Sequence, residues 1–110
     1  MKHEVWTEKD CVIISFSGDI DLEFSGEVRT ILMDNAPKGR SIIVDLSDVH
    51  VIDSSGIASL LEAFQDARKK GKAYTIAAVN PSVMRVFKLA RLETVFEIKD
   101  SVEDAINPES

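Results

Sequence analysis

Residues 41–64 read SIIVDLSDVHVIDSSGIASLLEAF, and this stretch decides the fold. It begins with the almost continuously apolar residues 42–46, a composition typical of a strand buried on both faces. It ends as a helix, because apolar residues recur at i, i+3, i+4 and i+7 and form one stripe. The stripe consists of Ile57, Leu60, Leu61 and Phe64. The intervening Asp53-Ser54-Ser55-Gly56 therefore places two hydroxyl groups at the first turn of a helix.

Length and composition indicate one small soluble domain spanning residues 1–110. The net charge of −6 and the pI near 4.8 argue against a nucleic-acid partner and against adsorption to an anionic membrane. The single cysteine, Cys11, cannot form an intramolecular disulfide. The N-terminus lacks the apolar core of a signal peptide, and no apolar run approaches the roughly 20 residues of a membrane-spanning helix. We therefore expect a cytoplasmic protein.

Four further segments have the apolar, β-branched composition of strands. They are residues 5–7, 11–16, 73–79 and 94–98. Residues 8–10 are typical of a turn, so the first two of these strands are expected to form a hairpin. Residues 17–19 are expected to end the second strand.

Three further helices complete the pattern. The first is expected to be capped by Asp21, to end before Pro37 and to be only moderately amphipathic. Its apolar residues are Leu22, Phe24, Val28, Ile31 and Leu32. The second begins at Asn80-Pro81 with Asn as N-cap, and the third follows a capping box at residues 100–103. Residues 107–110 are expected to fray.

This order predicts a single α/β domain. From residue 11 onward strands and helices alternate, which is typical of a sheet with parallel strands and crossover helices. The N-terminal hairpin makes the sheet mixed. We expect a mostly parallel central sheet of four to five strands, with about four helices.

The sequence gives little support for an enzymatic function. A hydrolase using Ser54 as nucleophile would need a base, and His50 is the one nearby histidine, which we interpret as a loop residue. The Gly-x-Ser-x-Gly signature of strand-to-helix nucleophiles is absent, and so is a glycine-rich phosphate loop. Asp45, Asp48 and Asp53 lack the spacing of metal ligands. We expect neither a catalytic residue nor a cofactor or metal.

The Asp53–Gly56 turn has two interpretations. Asp53 or Ser54 can serve simply as an N-cap, which contributes about 1 kcal/mol. Two hydroxyls and a glycine exceed what a cap requires, however, and glycine inside the first turn costs up to about 1 kcal/mol. Glycine would also let another molecule approach the backbone closely. These observations weigh against a purely capping role, and at this point both interpretations stay open.

A second short motif, Gly18-Asp19-Ile20-Asp21, follows the strand at residues 11–16. If that strand is parallel and adjacent to the central one, Asp19 and Asp21 share a rim of the sheet with the Ser54 turn. The alternative is that Asp19 belongs to a turn and that Asp21 caps a helix. A phosphate on this rim would add a charge of about −1.5 to −2, to which a docked partner would be sensitive.

Three motifs in this order resemble the STAS-domain family, specifically the bacterial anti-sigma factor antagonists. Residues 53–57 resemble the family's phosphorylation signature, residues 18–21 its acidic turn, and residues 80–87 its third-helix segment. The resemblance covers nearly the whole chain. It departs from the family pattern at Ala58 and Arg91, where glycine is frequent, and the second departure concerns how the third helix ends.

The resemblance implies partner switching. The unphosphorylated protein would bind an anti-sigma factor that is also a serine kinase and so release a sigma factor. Phosphorylation of Ser54 would break this complex, and a Ser/Thr phosphatase would restore it. The resemblance assigns the docking surface to Asp19, Asp21, Asp53, Ser54, Ser55, Gly56 and Ile57. We expect a monomer when the protein is free; the alternative employment is a stand-alone STAS subunit of a lipid transporter or a stressosome-type scaffold.

Overall fold

Five strands form one mixed sheet in a computed structural model that describes residues 1–108. The strands are β1 (Lys2–Glu8), β2 (Cys11–Ile20), β3 (Ser41–Ile52), β4 (Ala73–Ala77) and β5 (Glu97–Lys99). They lie side by side in chain order. β1 runs antiparallel to β2, and every other neighbouring pair is parallel. The predicted mixed, mostly parallel sheet is confirmed. Glu109 and Ser110, the end of the segment expected to fray, lie outside the described residues.

Four α-helices pack on the two faces of this sheet. They are α1 (Ser25–Asn35), α2 (Ser54–Lys69), α3 (Pro81–Leu89) and α4 (Val102–Ile106). The main core lies between the sheet and α1, α2 and α3, whereas α4 covers a smaller cluster on the opposite face. β3 lies at the centre, and Ile42, Val44 and Leu46 are fully buried in the main core. The single α/β domain expected from the alternating pattern is thereby confirmed.

The N-terminal hairpin is also confirmed, and it is longer than the sequence indicated. Lys9 and Asp10 both have positive φ values, 49° and 65°, at its turn. This is the backbone geometry of the tight turns whose twist suits antiparallel strands.

Strand ends are the least accurately predicted features. β2 does not end at residues 17–19, because Gly18, at φ 106°, and two register shifts let it follow β3 as far as Ile20. His50 is not a loop residue, since β3 extends to Ile52. β4 ends at Ala77, and β5 begins only at Glu97, because Leu92–Thr94 form a short 3₁₀ helix.

The start of α1 differs from the prediction. Phe24 occupies the N-cap position without a side-chain hydrogen bond, so the prediction that Asp21 caps this helix is wrong. The Asp21 carboxylate instead accepts a hydrogen bond from the backbone N–H of Glu23, at 3.1 Å, in a turn that precedes the helix. Leu22 consequently lies outside the helix, and its exposed fraction is 79%.

The start of α3 agrees with the prediction, whereas a non-glycine residue adopts an unfavourable backbone conformation beyond its end. Asn80 caps its start as predicted, with its side-chain oxygen accepting from the N–H groups of Ser82 and Val83. Beyond its end, Arg91 adopts left-handed backbone angles, φ 58° and ψ 30°. The chain therefore keeps a turn that glycine would adopt at lower cost, by roughly 1 kcal/mol.

Candidate functional site

The Ser54 turn lies at the rim formed by the carboxyl ends of β2 and β3. Ile20 of β2 pairs with Ile52 of β3, and the backbone N–H of Asp53 donates to the carbonyl of Ile20 at 3.2 Å. The two motifs that follow these strands are therefore neighbours in space, as the sequence predicted. Asp19, Asp21 and the Asp53–Gly56 turn share one edge of the sheet.

One carboxylate, that of Asp53, connects the two motifs. Its Oδ1 atom accepts from the backbone N–H groups of Ser55 and Gly56, each at 3.0 Å, and so caps α2. The Oδ2 atom accepts from the backbone N–H of Leu22, also at 3.0 Å, in the loop before α1. This side chain therefore joins the loop before α1 to the start of α2.

These hydrogen bonds keep Asp53 ionised. The Ser55 hydroxyl donates to Oδ1 at 2.6 Å, and this bond is the largest cause that lowers the pKa of Asp53 below its ordinary value. The backbone N–H groups of Gly56, Leu22 and Ser55 lower the pKa further, because each donates to the charged form of the carboxylate.

The two serines of the turn have different environments. Ser55 is half-buried, and its hydroxyl is engaged with Asp53. Ser54 is exposed, and its hydroxyl makes no hydrogen bond to any residue between 1 and 108. Ser54 occupies the first position of α2, directly after the N-cap. The turn thus presents one free hydroxyl to solvent and uses the other to hold its own geometry.

The structure explains why residue 56 is a glycine, which the sequence alone did not reveal. It is buried, and a Cβ atom there would lie 2.6 Å from the carbonyl oxygen of Ile20 and 2.8 Å from Cγ1 of Ile52. The space beside this glycine is therefore filled by the protein's own strand ends rather than left for another molecule. The prediction that Gly56 lets another molecule approach the backbone closely is therefore wrong on the side where a Cβ atom would lie. Gly56 instead lets α2 begin directly against the ends of β2 and β3.

The segments that carry Asp21 and Ser54 are acidic, although Lys2 of β1 pairs with Ser17 beside them. These segments, residues 17–28 and 46–61, contain no Lys or Arg. Their acidic residues are Asp19, Asp21, Glu23, Glu27, Asp48 and Asp53. Ile57 follows the turn and is half-buried against the main core. The surface around Ser54 therefore favours a partner that carries positive charge.

The rim also carries two exposed apolar side chains that the sequence analysis did not assign to it. They are Leu22 and, at the end of β3, Val51, which is 50% exposed. The apolar spacing predicts Leu22 in the stripe of the following helix, but α1 begins only at Ser25. The signal that could have found it is its position between two acidic residues, Asp21 and Glu23, in a segment without basic residues.

His50 is the nearby histidine that a hydrolase using Ser54 would need as a base. His50 is exposed near the end of β3, and over residues 1–108 no hydrogen bond joins it to Ser54. Its backbone carbonyl accepts from the Ser82 hydroxyl at 2.8 Å, which ties α3 to β3. Among the described residues, no group of three or more His, Cys, Asp or Glu side chains is arranged to hold a metal ion. In the same part of the chain, every helix is too short or too polar to cross a membrane.

Comparison with known proteins gives consistent results. A family model described as the STAS domain matches residues 3–105. The anti-sigma F factor antagonist of Paenibacillus polymyxa is 28% identical over 106 residues, which cover 94% of this chain and 90% of that protein.

Solved structures share the fold. The crystal structure of an anti-sigma factor antagonist from Mycobacterium paratuberculosis superimposes with a TM-score of 0.87 at 21% identity, covering 97% of this chain and 92% of that one. The phosphorylated form of the Bacillus cell fate determinant SpoIIAA superimposes with a TM-score of 0.74 at 17% identity, covering 99% of this chain and 100% of that one.

Proposed function

The chain belongs to the STAS-domain family, and from this premise we propose that it is an anti-sigma factor antagonist. In this proposal the unphosphorylated protein binds an anti-sigma factor that is also a serine kinase, and a sigma factor is thereby released. The names of the curated relatives support the role. The observation that carries the proposal is the free, exposed hydroxyl of Ser54 at the start of a rigidly capped helix.

Phosphorylation of Ser54 is the proposed switch. The kinase places ATP against the rim, the Ser54 Oγ atom attacks the γ-phosphorus, and the bond from that phosphorus to the β-phosphate oxygen breaks. ADP leaves with the electron pair of that bond, and a base of the kinase takes the hydroxyl proton. A Ser/Thr phosphatase hydrolyses the phosphoserine and restores the hydroxyl. SpoIIAA, which shares the fold, is known in a phosphorylated form.

The geometry around Ser54 supports the proposal that an added phosphate weakens binding. A phosphate at a helix N-terminus is normally stabilised by free backbone N–H groups. Here the N–H groups of Ser55 and Gly56 are already taken by the Asp53 carboxylate. The new charge of about −1.5 to −2 would instead meet the carboxylates of the rim and the nucleotide phosphates held by the kinase.

The remaining rim residues have separate proposed roles. Asp19 and Asp21 give the docking surface its charge, and Ile57 adds a half-buried apolar contact. Asp53, Ser55 and Gly56 hold the turn that presents Ser54. We further propose that the protein acts in the cytoplasm, where ATP and RNA polymerase are present, and that it is a monomer when free.

Mass spectrometry of the protein after incubation with its co-purifying kinase and ATP tests the phosphorylation site. We expect one phosphate on Ser54, and none on the Ser54→Ala variant. The Ser55→Ala variant is the matched control, because it keeps Ser54 and should still be modified. A label on Ser55 alone would contradict the assignment.

Calorimetry with the same kinase tests the switch. Ser54→Ala is expected to bind as the wild type does, whereas Ser54→Asp is expected to bind more weakly because it adds charge at the contact. Equal affinity of the phosphorylated and unphosphorylated proteins would refute the proposal. Co-purification of a transporter ATPase, or of a large homo-assembly, in place of a kinase would support the alternative STAS functions.

A further inference from the structure

Leu22 is an apolar side chain displayed in an acidic surface. Its exposed fraction of 79% is matched among the large apolar side chains of residues 1–108 only by the 81% of Leu89 on α3. It lies between Asp21 and Glu23, and no Lys or Arg occurs from residue 17 to residue 28. Isolated exposed leucines are common and need no explanation. Leu22 differs from them because of how the loop holds it.

Several hydrogen bonds fix the backbone around Leu22. Its own N–H donates to the Asp53 carboxylate at 3.0 Å. The carbonyl of Asp21 accepts from the N–H groups of Phe24 and Ser25, at 3.1 and 2.8 Å. The Asp21 carboxylate accepts from the N–H of Glu23. The loop therefore presents Leu22 in one backbone conformation, so a partner that buries this side chain does not have to order the loop first.

The same hydrogen bonds set the distance between Leu22 and Ser54. The Asp53 carboxylate that accepts from Leu22 also caps the helix that begins with Ser54. A partner seated over the hydroxyl therefore meets Leu22 at a constant position. An apolar side chain that fills a pocket, surrounded by polar contacts, is the usual arrangement of a binding anchor.

We propose that Leu22 is the apolar anchor by which the partner recognises this protein, an inference that rests on the proposed function. The partner's surface would contain an apolar pocket for the leucine side chain, bordered by Lys or Arg side chains that face Asp19, Asp21 and Glu23. Affinity and switching are then separate. Leu22 contributes to the strength of the complex, and the charge state of Ser54 decides whether it forms.

Affinity measurements with Leu22→Ala test this inference, using the purified kinase that phosphorylates Ser54 as the probe. We expect at least about a tenfold rise in Kd with an unchanged melting temperature, because the side chain is exposed in the free protein. Leu89→Ala is the matched control, since Leu89 is equally exposed but lies on α3 beside Arg85 and Lys88. The control is expected to change Kd by less than about twofold.

The outcomes separate this inference from the proposed function. If Ser54→Asp weakens binding and Leu22→Ala binds within about twofold of the wild type, the anchor assignment is overturned and the proposed function stands. If Leu22→Ala and Leu89→Ala weaken binding equally, the assignment is also overturned. If the wild type binds no kinase and Ser54 is not phosphorylated, the proposed function fails and the anchor falls with it.

Discussion

The starts of α1 and α2 contain the same residue pair, serine followed by glycine, in different surroundings. α1 begins with Ser25-Gly26, and α2 has Ser55-Gly56 in its first turn. At α2 the Asp53 carboxylate caps the helix, and Gly56 is enclosed by Ile20 and Ile52. At α1 no side chain caps the helix, and a Cβ atom on Gly26 would meet no atom within 4 Å.

The difference shows which of the two helix starts is capped by a side chain and closely packed around its glycine. The Ser59 hydroxyl of α2 donates to the carbonyl of Ser25 at 2.8 Å, so the α1 start is itself tied to α2. The closely packed start is the one that carries the exposed Ser54. Under the proposed function, the hydroxyl that the kinase phosphorylates therefore lies beside a helix start held by Asp53 and Gly56, and it makes no hydrogen bond to residues 1–108 itself.

Gly56→Ala should have the largest effect on stability, and it tests the close packing at the start of α2. The added Cβ would lie 2.6 Å from the backbone oxygen of Ile20, which belongs to a paired strand and cannot move aside cheaply. We expect a loss of about 2 kcal/mol or more in the free energy of unfolding, typical of overpacking against rigid neighbours. Urea denaturation followed by circular dichroism measures it. A variant as stable as the wild type would contradict the close packing.

Asp53→Ala should have the next largest effect, because it removes the α2 cap and the contact with Leu22 together. We expect the melting temperature to fall by several degrees at neutral pH. The folded-state pKa of Asp53 is lowered, so its stabilisation is fully present above the unfolded-state value of about 3.9. It is lost as pH falls through the lower folded-state pKa.

The acid dependence of Asp53→Ala provides the control for that interpretation. The wild type and the variant should approach each other in stability as the pH falls below the lowered folded-state pKa of Asp53, since Asp53 is then protonated in both folded and unfolded wild type. Melting curves at closely spaced pH values measure the difference. A difference in melting temperature that stays constant down to the lowest pH would show that the charge of Asp53 does not contribute to stability.

Ser55→Ala should act more weakly and in a specific way. It removes the hydroxyl that donates to Asp53 Oδ1 but leaves the backbone cap intact, so we expect a loss of about 0.5–1.5 kcal/mol. The pKa of Asp53 should rise toward its ordinary value, because that hydroxyl is the largest cause of the lowering. NMR titration of the Asp53 carboxyl carbon detects the rise. An unchanged titration midpoint would rule out the bond between the two side chains.

Gly26→Ala should have the smallest effect on stability, and it should stabilise the protein where Gly56→Ala destabilises it. Open space surrounds the position, and alanine reduces the conformational freedom of the unfolded chain. We expect a gain of about 0.4–1 kcal/mol in the free energy of unfolding. The measurement is the same urea denaturation as for Gly56→Ala. Destabilisation by both substitutions would mean that the two helix starts are packed alike.

Local patterns in the sequence predicted much of the fold. The apolar run of β3, the stripe of α2 and the Asn80 cap of α3 each appear where residue spacing and composition placed them. Such features depend on interactions within a few residues, which a sequence displays directly. The wrong predictions lie at junctions, such as the end of β2 and the start of α1, where neighbouring strands and turns compete with local preference.

By itself, the sequence determined the order of elements, the acidic character of the rim and the position of two hydroxyls at a helix start. Only the tertiary structure decided that Ser54 is free while Ser55 is engaged, that Gly56 makes room for Ile20, and that Leu22 faces solvent. The physical reason is that these properties depend on which distant groups fill the space and accept the hydrogen bonds around a residue. Residues 20–22 and 53–56 meet only because β2 and β3 run parallel side by side.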